Sequence, residues 1–352
     1  MTDTLRAAEP RPAAEVAVQV VDTDIHPAPR SPLEIMDHMP EPWRSQDWPK
    51  RLFTSTSGDS VALYTAPNKA QRVDARGLDG GPPGSDPAFT ARQLFDEAGV
   101  DLGILIPLSA PRPMANQEHE LAAAAAMNNW LAAREIERWA GHPRFRQVMV
   151  NPYQRAPLGQ PHYHPVYAAA ARNNLHVAIH VNRGAGMALL TPVGYLSYFW
   201  EHHCLYPLLF ASHLLSMIAE GVFEKLPALK IVFIEGGFSW LVPLLWRLDR
   251  HWQELRSEVP NLKRRPSEYV RDHIRFTSQP VEEPVDPKQL DRVLDLLDAE
   301  HILMFATDYP HWDGDYLPQQ LFRRSPGHVR HRILAGNALE LYGLPATRPA
   351  SR

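Results

Sequence analysis

Four side chains have the types and the placement to hold a divalent cation. Asp24 and His26 stand two apart at the end of Val18-Gln19-Val20-Val21-Asp22-Thr23-Asp24-Ile25-His26. A strand has a side-chain period of two, so both point to one side at its carboxyl end. His180 closes the apolar run Val177-Ala178-Ile179, and Asp308 follows Leu303-Met304-Phe305-Ala306-Thr307. Two imidazoles and two carboxylates meet the donor inventory of a catalytic zinc, which takes about three or four N and O ligands and keeps room for water. Such an ion brings the pKa of bound water to ~7 and polarises a bound oxygen. Manganese or iron would accept the same donors. Each residue also has a structural alternative. His26 and His180 could be core histidines bonded to backbone, Asp308 a turn cap before Tyr309-Pro310, and Asp24 a residue that orients His26 from behind.

Those four must be carried to one place, and a parallel barrel does this by putting catalytic groups at the carboxyl ends of its strands. Apolar runs predict seven strands, ending near His26, Leu108, Val150, His180, Glu235, Ser278 and Thr307. Between them lie helical patterns over Phe89–Ala98, Gln117–Trp139, Pro165–Asn173, Pro207–Leu226, Trp240–Leu255, Lys288–Leu297 and Gly327–Tyr342. Alternating strands and helices argue for a parallel sheet wrapped by helices. A complete barrel has about eight strands, and the shortfall falls between Leu108 and Phe145, where one helical stretch links two strands. Residues 1–16 read as a disordered leader, 17–344 as a single domain, and 345–352 as a tail. The stretch 40–89 is rich in Pro, Gly, Ser and Asp. It reads as an insertion over the barrel mouth, or else as a surface loop.

The ordered set of motifs resembles the amidohydrolase superfamily, and within it the aminocarboxymuconate-semialdehyde decarboxylase-like branch. The matching stretches are Asp22-Thr23-Asp24-Ile25-His26, Val177-Ala178-Ile179-His180, Glu220-Gly221-Val222-Phe223-Glu224-Lys225-Leu226-Pro227, Phe233-Ile234-Glu235-Gly236-Gly237 and Ala306-Thr307-Asp308-Tyr309-Pro310-His311. The resemblance runs from about Val18 to Tyr342. It implies an α/β fold, a TIM-barrel-like (β/α)8 metal-dependent hydrolase, here distorted by loss of its third βα unit in the stretch Asn128 to Trp139. It also implies one divalent metal on Asp24, His26, His180 and Asp308, with Zn favoured and Mn or Fe compatible. Binuclear members use a Lys on the fourth strand, and Phe145-Arg146-Gln147-Val148-Met149-Val150 has none.

Two departures bear on chemistry. The superfamily's His-x-His begins here with Asp24, and the usual catalytic His after the sixth strand is Glu235. Catalytic candidates are therefore Asp308, Glu235, His311 three residues on, and His213, a helix-face histidine that could replace the missing one. Arg183, just past His180, is the candidate for binding a substrate carboxylate, because Arg suits planar anions. His202-His203-Cys204 has the composition of a metal site, but neighbours in sequence point apart. Gly184-Ala185-Gly186 lacks dinucleotide-loop spacing, and no Gly-x-Ser-x-Gly nucleophile motif is present. Trp139, Trp240, Trp246 and Trp252 read as core or subunit contacts, with the apolar face of Trp240–Leu255 as a homodimer surface.

The chain has 352 residues, a net charge of -4 and a single cysteine, Cys204. The charge excludes electrostatic capture of nucleic acid, and one cysteine excludes an internal disulfide. The first residues lack a signal peptide's basic start and apolar run. No apolar stretch nears the roughly 20 residues of a spanning helix. These features predict a soluble cytoplasmic protein with a small-molecule substrate. The resemblance implies a carboxy-lyase for a small unsaturated or aromatic acid. A metal-hydroxide hydrolase of a C–N, ester, lactone or C–C bond is the alternative, and a degenerate, non-catalytic paralogue the third reading.

Overall fold

The computed structural model describes residues 15–39, 41–45, 53–54, 70–77, 80–108, 110–111, 118–119, 122–123, 126, 146–154, 156–181 and 196–349. All seven strands read from the apolar runs are present: β1 Val21–Ile25, β2 Leu102–Leu105, β3 Gln147–Val150, β4 His176–His180, β5 Ile231–Ile234, β6 Ile274–Thr277 and β7 Leu303–Met304. Strands β3 to β7 pair in parallel in chain order, and β1 pairs in parallel with β2. The chain beyond β7 returns to β1: Thr23 N–H donates to Phe305 O (3.0 Å) and His26 N–H to Tyr309 O (2.7 Å). The architecture is α/β and TIM-barrel-like. Among the described residues no pairing joins β2 to β3, the seam where a third βα unit would stand.

Apolar residues on alternate strand positions fill two layers. Val177, Ile179, Ile231 and Phe233 face the helices, where they meet Phe210, Leu214 and Leu241. Ala178, Val232, Ile234 and Met304 face inward onto Val21 and Ile106. Burial on both faces is why these strands read as continuous apolar runs. The covering helices include α1 His164–Arg172, α2 Tyr206–Ala219, α3 Leu241–Glu254, α4 Pro266–His273 and α5 Pro287–Leu297. The last helix, α6 Asn337–Tyr342, closes the amino-terminal mouth of the strands. Its Tyr342 is buried in the inner layer and donates to Gln147 Oε1 (2.8 Å).

Some boundaries differ from the sequence reading, each for a local reason. The helix expected over Pro207–Leu226 stops at Ala219, because Gly221 turns left-handed (φ 65°) before Val222–Lys225 resumes. Helix α4 was not anticipated, although Pro266 opens it and the Glu268 side chain accepts the Arg265 N–H (2.9 Å). The residues read as the ends of a leader and a tail form a two-stranded ribbon, Glu15–Ala17 against Thr347–Pro349. Asp101 anchors it, accepting from Gln19 N (2.7 Å), Val20 N (3.0 Å) and Arg348 Nε (2.7 Å). Most of the stretch Gln117–Trp139 lies outside the described residues.

Candidate active site

Asp24, His26, His180 and Asp308, all buried, bring one ligand atom each to within 4.8 Å of one another. Glu235, Asp308 and His311 form a second such group that shares Asp308. Each member sits at or just past the carboxyl end of β1, β4, β5 or β7. The backbone is unusual at two of them: Glu235 (φ 61°) and Asp308 (φ 58°) are left-handed non-glycine residues. That conformation costs roughly 1–2 kcal/mol for an L-residue and recurs at functional sites. Gly84 (φ 77°) supports His26 from outside. A Cβ there would stand 2.6 Å from the His26 carbonyl oxygen.

Hydrogen bonds fix the imidazole tautomers. His26 Nδ1 lies 2.9 Å from Ile106 O, and His180 Nδ1 bonds to Val181 O. A carbonyl only accepts, so Nδ1 carries the proton in each ring and Nε2 presents a lone pair. The His26 lone pair faces Asp308 Oδ1 at 2.7 Å and Asp24 Oδ1 at 3.2 Å. That of His180 faces Asp24 Oδ2 and Glu235 Oε2, each at 3.5 Å. Lone pairs opposed this closely repel unless a proton or a cation lies between them. Both Asp24 oxygens, Asp308 Oδ2 and His180 Nε2 are buried without a hydrogen-bond partner. Orphaned buried acceptors converging on one point are what a cation would satisfy. The donor set therefore fits a divalent metal.

The electrostatics follow from burial. Burial lowers the His26 pKa to about 4, against a partial lift from Asp24. In His180 burial also opposes the charge, but Asp24 and Glu235 outweigh it and the net direction is up. Burial raises Glu235 to about 7, with His180 and His203 pulling the other way. Asp308 is pushed well above the carboxylate range by burial and by the charges of Glu235 and Asp24. His311 Nδ1–H donates to Asp308 Oδ1 (2.6 Å). His311 itself is held from outside, since Tyr316 O–H donates to its carbonyl and Gln71 bridges to it. Thus Ala70–Arg72, within the 40–89 stretch, lies along Pro310–Trp312 at the carboxyl-end mouth, with Arg72 N–H donating to Pro310 O (2.8 Å).

One candidate is corrected. His213 lies on α2, but its Nδ1 accepts the Leu158 N–H (3.1 Å) and its Nε2–H donates to Pro152 O (2.7 Å). Both ring nitrogens are consumed by one loop, so His213 is structural and does not replace the missing strand-end histidine. Arg183 lies outside the described residues. Two features were missed. Asp22, fully buried and raised to about 7 by burial, accepts from Thr307 N (2.9 Å), Thr307 Oγ1 (2.5 Å) and Asp24 N (3.1 Å). It thereby fixes Asp24 relative to the turn that carries Asp308. The available signal was an acid inside an apolar run. His203 pairs with Asp313 (3.0 Å) and both act on Glu235, whereas adjacent His202 turns toward Tyr153 (3.5 Å).

Seven parallel strands that converge imidazoles and carboxylates on one buried point define a metal-dependent barrel protein. The chain belongs to the amidohydrolase family, which it matches over residues 21–344. Over 134 residues it is 31% identical to a 2-amino-3-carboxymuconate-6-semialdehyde decarboxylase of Dictyostelium discoideum, covering 37% of this chain and only 35% of that relative. Among solved structures it resembles an amidohydrolase of Mycobacterium avium subsp. paratuberculosis at 19% identity and TM-score 0.63, covering 93% of this chain and 100% of that one. It also resembles a 5-carboxyvanillate decarboxylase of Novosphingobium aromaticivorans, solved with manganese and 3-methoxy-4-hydroxy-5-nitrobenzoic acid. There the identity is 18% and the TM-score 0.62, over 93% of this chain and 97% of that one.

Proposed function

We propose that the protein is a metal-dependent carboxy-lyase acting on a small unsaturated or aromatic carboxylic acid. The observation that carries this reading is the convergence of Asp24, His26, His180 and Asp308 with four orphaned acceptor atoms among them. Those residues would hold one divalent ion. Zinc suits the donor set, and manganese is supported by the 5-carboxyvanillate decarboxylase structure. When bound, the ion supplies Lewis acidity that polarises an oxygen beside the scissile bond.

The chain's own residues do the rest. Asp22 and Thr307 hold the two acids in register. His311 Nδ1–H keeps the Asp308 carboxylate oriented through Oδ1. Glu235, turned inward by its left-handed backbone and kept dry by burial, holds a proton at its carboxyl oxygen. It delivers that proton to the carbon bearing the substrate carboxylate, the C–C bond breaks, and CO₂ leaves with the ring electrons restored. The proton is then regained from solvent through the mouth beside His203 and Asp313. Arg183 would bind the substrate's anionic end. The protein would work in the cytoplasm as a homodimer. No described helix is long and apolar enough to cross a membrane.

The test is metal analysis together with headspace CO₂ from a panel of hydroxybenzoates and unsaturated acids. About one equivalent of tightly held metal and CO₂ release that disappears in His180→Ala would support the proposal. Lactone or amide hydrolysis without CO₂ would replace it with a hydrolase. Well below one equivalent of metal and no turnover would replace it with the non-catalytic reading.

A further inference from the structure

At the opposite end of the barrel from Glu235 lies a cavity of about 610 Å³. It is lined by five strong cations, Lys230, Arg264, Arg271, Arg275 and Arg332, against three acids, Glu224, Asp272 and Glu340. Lys230 immediately precedes β5, and Arg275 is the second residue of β6 and pairs in register with Val232. Glu235 is five residues beyond Lys230, so the cavity and the candidate active site are separated by roughly 16 Å of strand.

The acids do not neutralise these cations evenly. Asp272 is taken by Arg264 (2.5 Å), Glu340 by Arg332 (2.8 Å), and Glu224 by Lys263 (3.0 Å), which lies outside the cavity. Arg271 reaches Asp298 at 3.4 Å. Lys230 and Arg275 are left with backbone carbonyls alone. Lys230 Nζ donates to Asp272 O (2.5 Å), and Arg275 Nη1 to Arg271 O (3.0 Å) and Ile274 O (2.8 Å). Arg275 Nε is buried without a partner, as is the Nε of Arg146 at the start of β3. Neighbouring cations add to the cost: burial and Arg275 both lower the Lys230 pKa, and burial lowers that of Arg275. Asp272 and Glu340 offset this only in part, since each carboxylate is already bonded to another arginine and the net direction for both cations is down. The amino-terminal face of such a barrel ordinarily serves stability; here Lys230 and Arg275 do hold last-turn carbonyls of α4, yet Arg275 Nε still lacks a partner.

We propose that this cavity binds a phosphate-type oxyanion against Lys230 and Arg275. A tetrahedral dianion offers three terminal oxygens to donors that converge from two strands and the rim, more than a single carboxylate can use. The volume lies within the range of small-ligand pockets, so a phosphorylated small molecule and free phosphate share the required chemistry.

Isothermal titration calorimetry on the full-length, metal-loaded protein tests this, with inorganic phosphate and glucose 6-phosphate as probes at constant ionic strength. The expected result is one saturable site, at least tenfold weaker in Lys230→Gln and in Arg275→Gln, and unchanged in Arg250→Gln, whose cation lies on α3 paired with Glu254. Tighter binding of glucose 6-phosphate assigns the site to a phosphorylated small molecule, and equal binding to the free anion. If Arg275→Gln does not fold, Lys230→Gln alone decides the result. No saturable heat, or binding that Lys230→Gln leaves intact, overturns the proposal.

Discussion

Asp24→Asn should change the stability of this protein in opposite directions depending on whether metal is present. In the metal-free protein both Asp24 oxygens are buried without partners, within 4.8 Å of the ligand atoms of Asp308, His26 and His180. An unsatisfied buried polar group costs about 1–3 kcal/mol, more if charged. Two ionised carboxylates within 4.8 Å of each other would repel by a further ~3 kcal/mol or more at an effective dielectric of ~20, much of it relieved by proton uptake on Asp308. The amide removes one acid and gives the lone pairs of His26 and His180 a donor to face. We expect a gain of about 1–3 kcal/mol in the stripped protein, or a rise in Tm of roughly 2–6 °C at about 2 °C per kcal/mol for a large domain.

With metal the sign reverses, because a neutral amide is the weaker ligand. A thousandfold loss of affinity removes about 4.1 kcal/mol of ligand-linked stabilisation at saturating ion, more than the roughly 1–3 kcal/mol gained without metal. The assay is differential scanning fluorimetry of both proteins, stripped by chelation and then reloaded with zinc or manganese. The reasoning is refuted if Asp24→Asn lowers Tm equally in both states, since Asp24 would then be an ordinary structural residue.

Thr307→Val removes the hydroxyl that bonds Asp22 and should cost about 1–3 kcal/mol in urea denaturation while weakening metal retention; unchanged metal content would remove Asp22 as a positioning residue. His213→Ala deprives Leu158 N–H and Pro152 O of their partners and should destabilise by a similar ~1–3 kcal/mol with metal stoichiometry unaltered. Loss of metal there would restore His213 to the site. Glu235→Gln tests a pH dependence of defined sign. Because folding raises Glu235 from 4.5 to about 7, its contribution is complete below the unfolded value and is lost as pH rises through about 7. That gap is worth about 3 kcal/mol at roughly 1.4 kcal/mol per pH unit. Stripped Glu235→Gln should therefore gain on the parent by that order between pH 5 and pH 8, and a gain in the opposite direction would defeat the assignment of burial as the cause.

The strands and the four ligand candidates were legible because they depend on the same local pattern. An apolar run buried on both faces that ends in His or Asp marks a strand and its carboxyl end together. His180 and Asp308 were found this way, as was Glu235. What escaped was set by tertiary contact. The role of His213 depended on which loop lies against α2, and nothing in the helix periodicity says that Pro152 and Leu158 face it. Asp22 has the same parity as Asp24, and only the arrival of Thr307 from the far end of the chain separates a clamp from a ligand. Adjacent His202 and His203 do point apart, toward Tyr153 and Asp313. That dismissed them as a pair but hid the influence of His203 on Glu235. The cation pair Lys230 and Arg275 was illegible because their apposition requires the register of β5 against β6.

Among the described residues no pairing joins β2 to β3, which raises the question of how the site holds together across that seam. The answer lies in which strands carry it. His180 ends β4, Glu235 follows β5, Thr277 of β6 accepts the Glu235 N–H (3.2 Å), Asp308 follows β7, and Asp24 and His26 close β1. These five are consecutive neighbours, with β4 through β7 joined by register pairing and β7 tied to β1 through Phe305 and Tyr309. The candidate ligands thus hang from an unbroken hydrogen-bonded arc, and the seam falls on the opposite side. Neither strand bordering it carries a candidate ligand among the described residues, and β2 reaches the site through the Ile106 carbonyl that fixes the His26 ring and the Ile106 N–H that holds Ile25 O (2.7 Å). A change at the seam reaches the centre through the bonds of Ile106 to Ile25 and His26 and through the pairing of β3 with β4. An interruption at the seam is therefore compatible with an intact ligand set, whereas loss of any unit from the arc would separate the acids from the imidazoles.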